Sequence, residues 1–509
     1  ASEPSAKGLV HGETLNLYGN SYVVEFDYDS ARRRLEELKH GISTATHSMA
    51  FAYRGSSPAI GLLDQITATG GSGEPSQTFS YTYKTDTSWV ETMVAGGLTH
   101  TRGYENKRNV VASTRSTWNT ATDLGLVTYI RDELGRIAQL DRENGMYRLY
   151  NGVGIGQRFG YTSEGELESA VTESLATPGT ALPGRWLTVS YDGQGNRDWL
   201  RVDGELSHDY TPGPANEYSA VTHGEHTGWI MGAGEEPGQV VAGGELAERA
   251  GAYFYRGYGA ESSPRWTIED IYAAAEPPPG QFADAYAADR KAVHLPAATA
   301  SPSYDAAGNL LSDGRWTYVY DGENRLIGQT SAAHSPGESY ALRLDFAYDY
   351  RGRRVRKTVS ANGGATLSDT AFTYWEWQLL SEIDLTTDAL LRHYAWGLDK
   401  EGMRPGAGGV GGLLMVVDDA NNKTYFALND YLGNVTGLFD PDTAETVAEY
   451  EHDPFGRELR ATGPYAHDNP IRFSSQYWDE ETDLVSFGFR YYHPQWGRFI
   501  NRDPLEEAG

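Results

Sequence analysis

Polar and apolar residues alternate with a period of two over short stretches of this chain, as in Thr317-Tyr318-Val319-Tyr320 and Phe346-Ala347-Tyr348. That period sends successive side chains to opposite faces of an extended backbone, so it predicts strands buried on one side. Many stretches end in one recurring unit: Tyr-Asp, two free positions, Gly, a polar residue, and an aliphatic residue that opens the next stretch. Tyr304-Asp305-Ala306-Ala307-Gly308-Asn309-Leu310 is its fullest copy. Tyr320-Asp321-Gly322-Glu323-Asn324-Arg325-Leu326 and Tyr348-Asp349-Tyr350-Arg351-Gly352-Arg353-Arg354-Val355 follow it. Weaker copies stand at Tyr28-Asp29 and run from Arg131 to Ile137, Tyr161 to Leu167, Tyr191 to Asn196, Asp430 to Val435 and Asp453 to Leu459. Asp side chains bond turn amides and Gly takes a positive φ without steric cost, so the unit predicts a hairpin.

One hairpin is unstable alone in water, so many must pair side by side into a long sheet. Such a sheet twists and coils, and its edges need cover, which winding into a spiral wall supplies. At 509 residues the chain also exceeds the size of one compact core. Its 34 Tyr, 12 Trp and 59 Gly favour strands and tight turns over helices. Two stretches lose the repeat texture: residues 233 to 250, and residues 270 to 302 with Pro277-Pro278-Pro279 and an Ala-rich run. These predict an irregular insertion near 233–302, with Ile268 to Ala275 long enough for one helical pass. From Trp478 to Trp496 the aromatics Phe487, Phe489, Tyr491 and Tyr492 exceed what one solvated face carries, which predicts a C-terminal core turned inward.

A net charge of −28, from 70 acidic against 42 basic residues, argues against a nucleic-acid backbone or an anionic membrane as partner. It suits solubility, or a charged inner wall that holds a basic or unfolded cargo without sticking. No run of about twenty apolar residues occurs, and Ala1 to Lys7 carries neither a basic region nor an apolar signal core. With no Cys, disulfides, thiolate metal sites and cysteine nucleophiles are excluded. The 13 His, among them His393, His452, His467 and His493, show no metal-ligand spacing, and only Asp-rich turns offer oxygen ligands for Ca²⁺. Neither a Gly-x-Ser-x-Gly stretch nor a phosphate-binding glycine pattern is present, so no cofactor is expected.

The repeat resembles the YD repeat of the RHS family, and the last third resembles the RHS-associated core. That likeness rests on Asn469-Pro470-Ile471-Arg472-Phe473-Ser474, Asp479-Glu480-Glu481-Thr482-Asp483-Leu484, Gly488-Phe489-Arg490-Tyr491-Tyr492-His493-Pro494 and Gly497-Arg498-Phe499-Ile500-Asn501-Arg502-Asp503-Pro504-Leu505. The resemblance implies an all-β fold: a spiral of antiparallel hairpin repeats forming a hollow cocoon-like shell, as in the C subunits of bacterial Tc toxins. The divisions expected are a degenerate YD-repeat shell over 1–300, a YD-repeat shell over 301–424 and the RHS-associated core over 425–509. The implied partners are an enclosed C-terminal cargo polypeptide and further shell or delivery subunits, in a secreted or cell-surface setting.

In related cores two Asp residues are proposed to form an aspartyl autoprotease, and the matching positions are Asp479 and Asp503. A close carboxylate pair shares one proton, so one member activates water and the other donates to the leaving amine. The implied reaction is one turnover in cis, with Gly509 as its product. Asp483 stands where related cores carry Gly, and Trp478 where toxin relatives carry an Arg, leaving Arg502, Arg498, Arg490 or Arg472 to supply that cation. Against catalysis stand the plain roles of Asp503 as a turn carboxylate before proline and Asp479 as a cap, together with the acid lability of Asp-Pro bonds. Two other functions stay open: a surface interaction module similar to the YD shells of teneurin-type adhesion proteins, and a carbohydrate-binding array using its aromatics.

Overall fold

The computed structural model describes residues 12–504 except 18–19, 30–33, 43–46, 56–60, 71–74, 107, 148–152, 234–237, 276–284, 333–340, 363 and 403–408. Among the described residues helical geometry is confined to short 3₁₀ turns such as Gly145–Tyr147 and Phe473–Ser475. The expected all-β, antiparallel hairpin architecture is what the chain forms. An 18-stranded sheet begins at Gly12–Leu17 and pairs its strands in chain order to Tyr218–His223, closing on Thr299–Ala300. A 14-stranded sheet then runs in chain order from Ser303–Tyr304 to Glu458–Thr462. A separate four-stranded sheet, Tyr477–Asp479 to Arg498–Phe499, forms the C-terminal core.

The repeat unit explains this order. In each full copy the Asp carboxylate receives the amides two and four positions on: Ala307 and Asn309 at 2.9 Å on Asp305, Arg351 and Arg353 at 2.9 Å on Asp349. The other carboxylate oxygen takes the side chain of the fourth residue, Asn309 Nδ2 at 2.8 Å or Arg353 Nε at 2.7 Å. The turn closes through Gly352 N to Asp349 O at 3.0 Å, with Gly352 at φ 82°. Asn324 fills the corresponding place at φ 61°, since Asn tolerates the left-handed region better than most residues. Ladder register shifts at the residue before the turn, for example between Ala347 and Tyr348, so every turn carries a bulge that sharpens the coil.

Tyrosine joins one unit to the next. Tyr348 Oη donates to the carbonyl of Leu326 at 2.5 Å, Tyr191 to Leu167 at 3.0 Å, Tyr161 to Ile137 at 2.7 Å and Tyr53 to Leu35 at 2.8 Å. In each case the acceptor is the aliphatic residue closing the preceding unit.

The two large sheets face one another through shared apolar cores. One core joins strands between Val24 and Tyr147 to strands between Phe372 and Ile471, with Phe79 against Phe426 at 5.6 Å and Trp118 against Phe439 at 4.8 Å. The second joins Ala170 to Val221 with Leu310 to Val359, and takes in Leu484, Tyr491, Trp496 and Ile500 of the small sheet. The C-terminal core is therefore turned inward through Leu484, Tyr491, Trp496 and Ile500, while Phe487 and Tyr492 are half-buried and Phe489 is exposed. Where the sheets face each other, interdigitated side chains fill the space between them.

The described residues between 223 and 299 form a β excursion. It builds a three-stranded and a four-stranded sheet before the chain returns to pair Ala300 with Val221. The helical pass expected from Ile268 to Ala275 is corrected: these residues lie in strand Arg265–Ala275, paired in register with Ala285–Leu295. Ala-rich ends favour a helix locally, but an eleven-residue partner strand on one edge, and strand Gly238–Ala242 on the other from Ile271 to Ala275, hold a segment containing Trp266, Ile268, Ile271 and Tyr272 extended. Pro277-Pro278-Pro279 lies outside the described residues. Position 425 falls inside strand Lys423–Asn429 of the second large sheet.

Two outcomes follow. Tyr348→Phe leaves the Leu326 carbonyl without its hydroxyl donor, so the urea unfolding midpoint should drop by an amount equivalent to about 1–3 kcal/mol. For Asp305 and Asp321 burial acts upward, but the fourth-residue side chain and the turn amides outweigh it and hold both carboxyls below the usual range. Asp192 is lowered first by Asn196. A lowered folded value stabilises above the ordinary Asp range of about 4, and the contribution is lost as pH falls below that through the folded value. Thermal midpoints should hold from neutrality to about pH 5 and fall below about pH 4.

Candidate functional site

Asp479 ends strand Tyr477–Asp479, opposite Leu484, and the amides of Thr482 and Asp483 close the turn on its carbonyl at 3.0 and 2.9 Å. Asp483 sits there at φ 60°, which explains why glycine suits the position. The Asp479 side chain is 1% exposed. Arg354 Nη1 donates to its Oδ2 at 2.6 Å and Lys357 Nζ to its Oδ1 at 2.7 Å, while Lys357 also reaches Glu481 at 2.6 Å. Arg354 Nη1 further donates to Tyr491 Oη at 3.1 Å and lies over the Tyr477 ring. Burial alone would raise the Asp479 carboxyl, but Arg354 and then Lys357 outweigh it and keep the group below the usual carboxylate range. The same pairing raises Lys357 against its own burial. The cluster is thus an ionised carboxylate clamped by two cations.

Asp503 follows the last strand and pairs with Arg490 Nη1 at 2.7 Å, about a quarter exposed. Arg490 also stacks on the Phe499 ring at 3.7 Å. Arg490 and Tyr491 are successive residues of strand Arg490–His493, so their side chains leave opposite faces. Tyr491 points to the Arg354–Asp479 cluster and Arg490 to Asp503. The small sheet therefore carries the two carboxylates on opposite faces, each with its own cation, and they do not share a proton in this arrangement.

Of the four arginines expected to supply a cation, Arg490 serves Asp503. Arg472, fully buried, binds Glu458 at 2.7 Å and the carbonyls of Asn469 and Ala466. Arg498 bonds Asn196 and the carbonyl of Asn216. The cations on Asp479 are Arg354 and Lys357, from strand Arg354–Ala361 of the second large sheet, 125 and 122 residues upstream. Their trace in the sequence is slight: Lys357 shares a strand face with Val355 and Val359, whereas Arg354 lies at the bulge, where strand alternation does not mark it as buried. A cavity of about 420 Å³ opens beside this core, lined by Arg490, Arg498, Arg502, Tyr304 and Asn216 among others.

The teneurin YD-shell family matches residues 295–507. The tRNA nuclease WapA of Bacillus subtilis is 30% identical over 205 residues, covering 40% of this chain and 8% of that protein. The double-stranded DNA deaminase toxin A of Burkholderia cenocepacia is 27% identical over 246 residues, 15% of its length. A crystal structure of TcdB2-TccC3 without its hypervariable C-terminal region aligns over 97% of this chain and 26% of that one, at 15% identity and a TM-score of 0.38. The chain spans 8% of the length of the WapA nuclease. Over residues 295–507, and in the repeat units found there, this chain is similar to the teneurin YD-shell family.

Proposed function

We propose that this chain builds part of the wall of a hairpin shell around a polypeptide continuing from its C-terminal core, and that the core separates that polypeptide in one self-cleavage event. The inward seating of the small sheet carries the reading, because Tyr491, Trp496 and Ile500 anchor the exit of the chain against both large sheets. The two relatives named a tRNA nuclease and a DNA deaminase each align with 40% of this chain, which supports one kind of wall serving different cargoes. The wall here is two sheets thick, with polar residues such as Glu25, Glu36, Gln65 and Glu91 on the outer side of the first. The enclosing space would lie against that polar side and be completed by further strands or copies.

In the cut, Asp479 is the ionised member that takes a proton from the attacking water, and Asp503, protonated from solvent once it has left Arg490, donates that proton to the leaving amine as the C–N bond breaks. Bringing them to one peptide bond requires the segment after Phe499 to leave Arg490 and cross the edge of the small sheet. The substrate is tethered, so proximity supplies much of the rate.

The test is a reporter polypeptide fused after Gly509, run on a denaturing gel and treated separately with an added protease. Wild type should release the reporter, which stays protease-resistant, and Asp479→Asn and Asp503→Asn should each slow release by at least about 100-fold. Equal release in all three would remove the carboxylates from the reaction. An uncut reporter in wild type would remove self-cleavage, and a reporter that the protease digests freely would remove enclosure.

Arg354→Met should leave Asp479 buried beside Lys357 alone and cost about 3–5 kcal/mol in urea unfolding. Asp479→Asn in the same background should recover part of that loss, because it removes the stranded charge.

A further inference from the structure

We propose that His47, His393 and Asp419 form a binding site for a divalent transition-metal ion of the zinc class, which would clip the first large sheet to the second. His47 opens strand His47–Tyr53 of the first sheet, His393 lies in strand Ala389–Trp396 of the second, and Asp419 follows strand Leu413–Asp418. One ligand atom from each lies within 4.8 Å of the other two. The His47 and His393 rings stand 4.0 Å apart, and His40 borders them at 5.7 and 5.8 Å.

The hydrogen bonds of His393 point to an ion. Its Nδ1 lies 2.7 Å from Asp419 Oδ2 and its Nε2 lies 3.2 Å from the carbonyl of Thr69. Both partners are acceptors, which suits either an imidazolium with two N–H groups or a neutral ring whose Nδ1 lone pair faces an ion. An ion at Nδ1 would take the place of the proton between Nδ1 and the carboxylate, while Nε2–H donates to the Thr69 carbonyl. A ligating His whose other nitrogen donates to a backbone carbonyl is the usual second contact around such ions. That carbonyl is itself fixed, since Thr69 exchanges hydrogen bonds with Ser48 through its amide and its hydroxyl, each at 3.0 Å. Asp419 is held by its amide on Leu391 O at 2.9 Å.

Zinc bonds of about 2.0–2.2 Å at a tetrahedral angle separate ligand atoms by about 3.3–3.5 Å. The Nδ1 to Oδ2 gap therefore widens slightly and the wider gaps narrow, within reach of side-chain rotation. Two nitrogens and one carboxylate oxygen leave a fourth position for water.

The test uses the full chain, stripped with EDTA and titrated with ZnCl₂ by calorimetry, with the thermal midpoint followed in parallel. Wild type should bind one equivalent and melt at a higher temperature with zinc. His47→Gln and Asp419→Asn, both at partly exposed positions, should each weaken binding by more than about 10-fold and abolish the shift. No uptake by wild type, or equal affinity in wild type and both variants, would overturn the site. Should either variant lose its β circular dichroism, CoCl₂ added to wild type decides: an intense visible band of four-coordinate cobalt supports the site, and its absence refutes it.

Discussion

The tyrosine hydroxyl that reaches back one repeat is the contact on which this wall depends. A hairpin with an Asp-capped turn fixes its own two strands but says nothing about the next hairpin. The hydroxyl supplies that link, because Tyr348 on Leu326 and Tyr191 on Leu167 tie the start of one unit to the end of the last. Sheet register is prone to slip by a residue wherever both faces tolerate it. A buried phenol with one carbonyl in reach removes that freedom, since a slipped strand leaves hydroxyl and carbonyl both without partners. The bulge before each turn then adds the same bend at every repeat, and chain-order pairing becomes a coil.

Where the coil meets itself, buried charges fix the alignment. Glu451 accepts from Arg460 Nε at 2.8 Å and from Tyr253 Oη at 3.1 Å, and it pairs with Arg185. Those partners come from the first sheet, the excursion and the second sheet, so one carboxylate ties three parts of the chain. Asp479 does the same between the second sheet and the small one. Such pairs add little net stability against apolar replacements, but a misaligned sheet would strand a bare charge at several kcal/mol. The excess of acid over base in this chain sits largely outside these pairs, in turns and on exposed strand faces.

The hairpins were legible because everything that makes them is local: Asp, its two amide donors and the left-handed Gly span five residues. The inward turn of the C-terminal core was legible from its aromatics for the same reason. Ile268 to Ala275 was not, because its partner strand lies beyond a proline-rich stretch and only pairing decides between helix and strand. The cations on Asp479 were hidden more deeply. Arg354 belongs to a repeat unit that reads as a plain hairpin, and nothing within 100 residues of Asp479 marks it as a partner. The histidines were hidden likewise, since the fold and not the spacing along the chain brings His47 to His393.

The placement of the two carboxylates also constrains how a cut in the core could be controlled. A proton-sharing pair is active whenever it forms, which would endanger a shell still folding. Here Asp479 is held ionised by Arg354 and Lys357 on one face of the small sheet, and Arg490 holds Asp503 on the other. Neither can act with its partner until the segment after Phe499 moves. That segment is held at Ile500 by Leu310 and Tyr491, at Asn501 by Tyr491 and Asn324, and at the Arg502 amide by Asn309, through turns that exist only once the repeats at 304 and 320 have folded. Completion of those repeats and the position of Asp503 are thus coupled through the same turn residues.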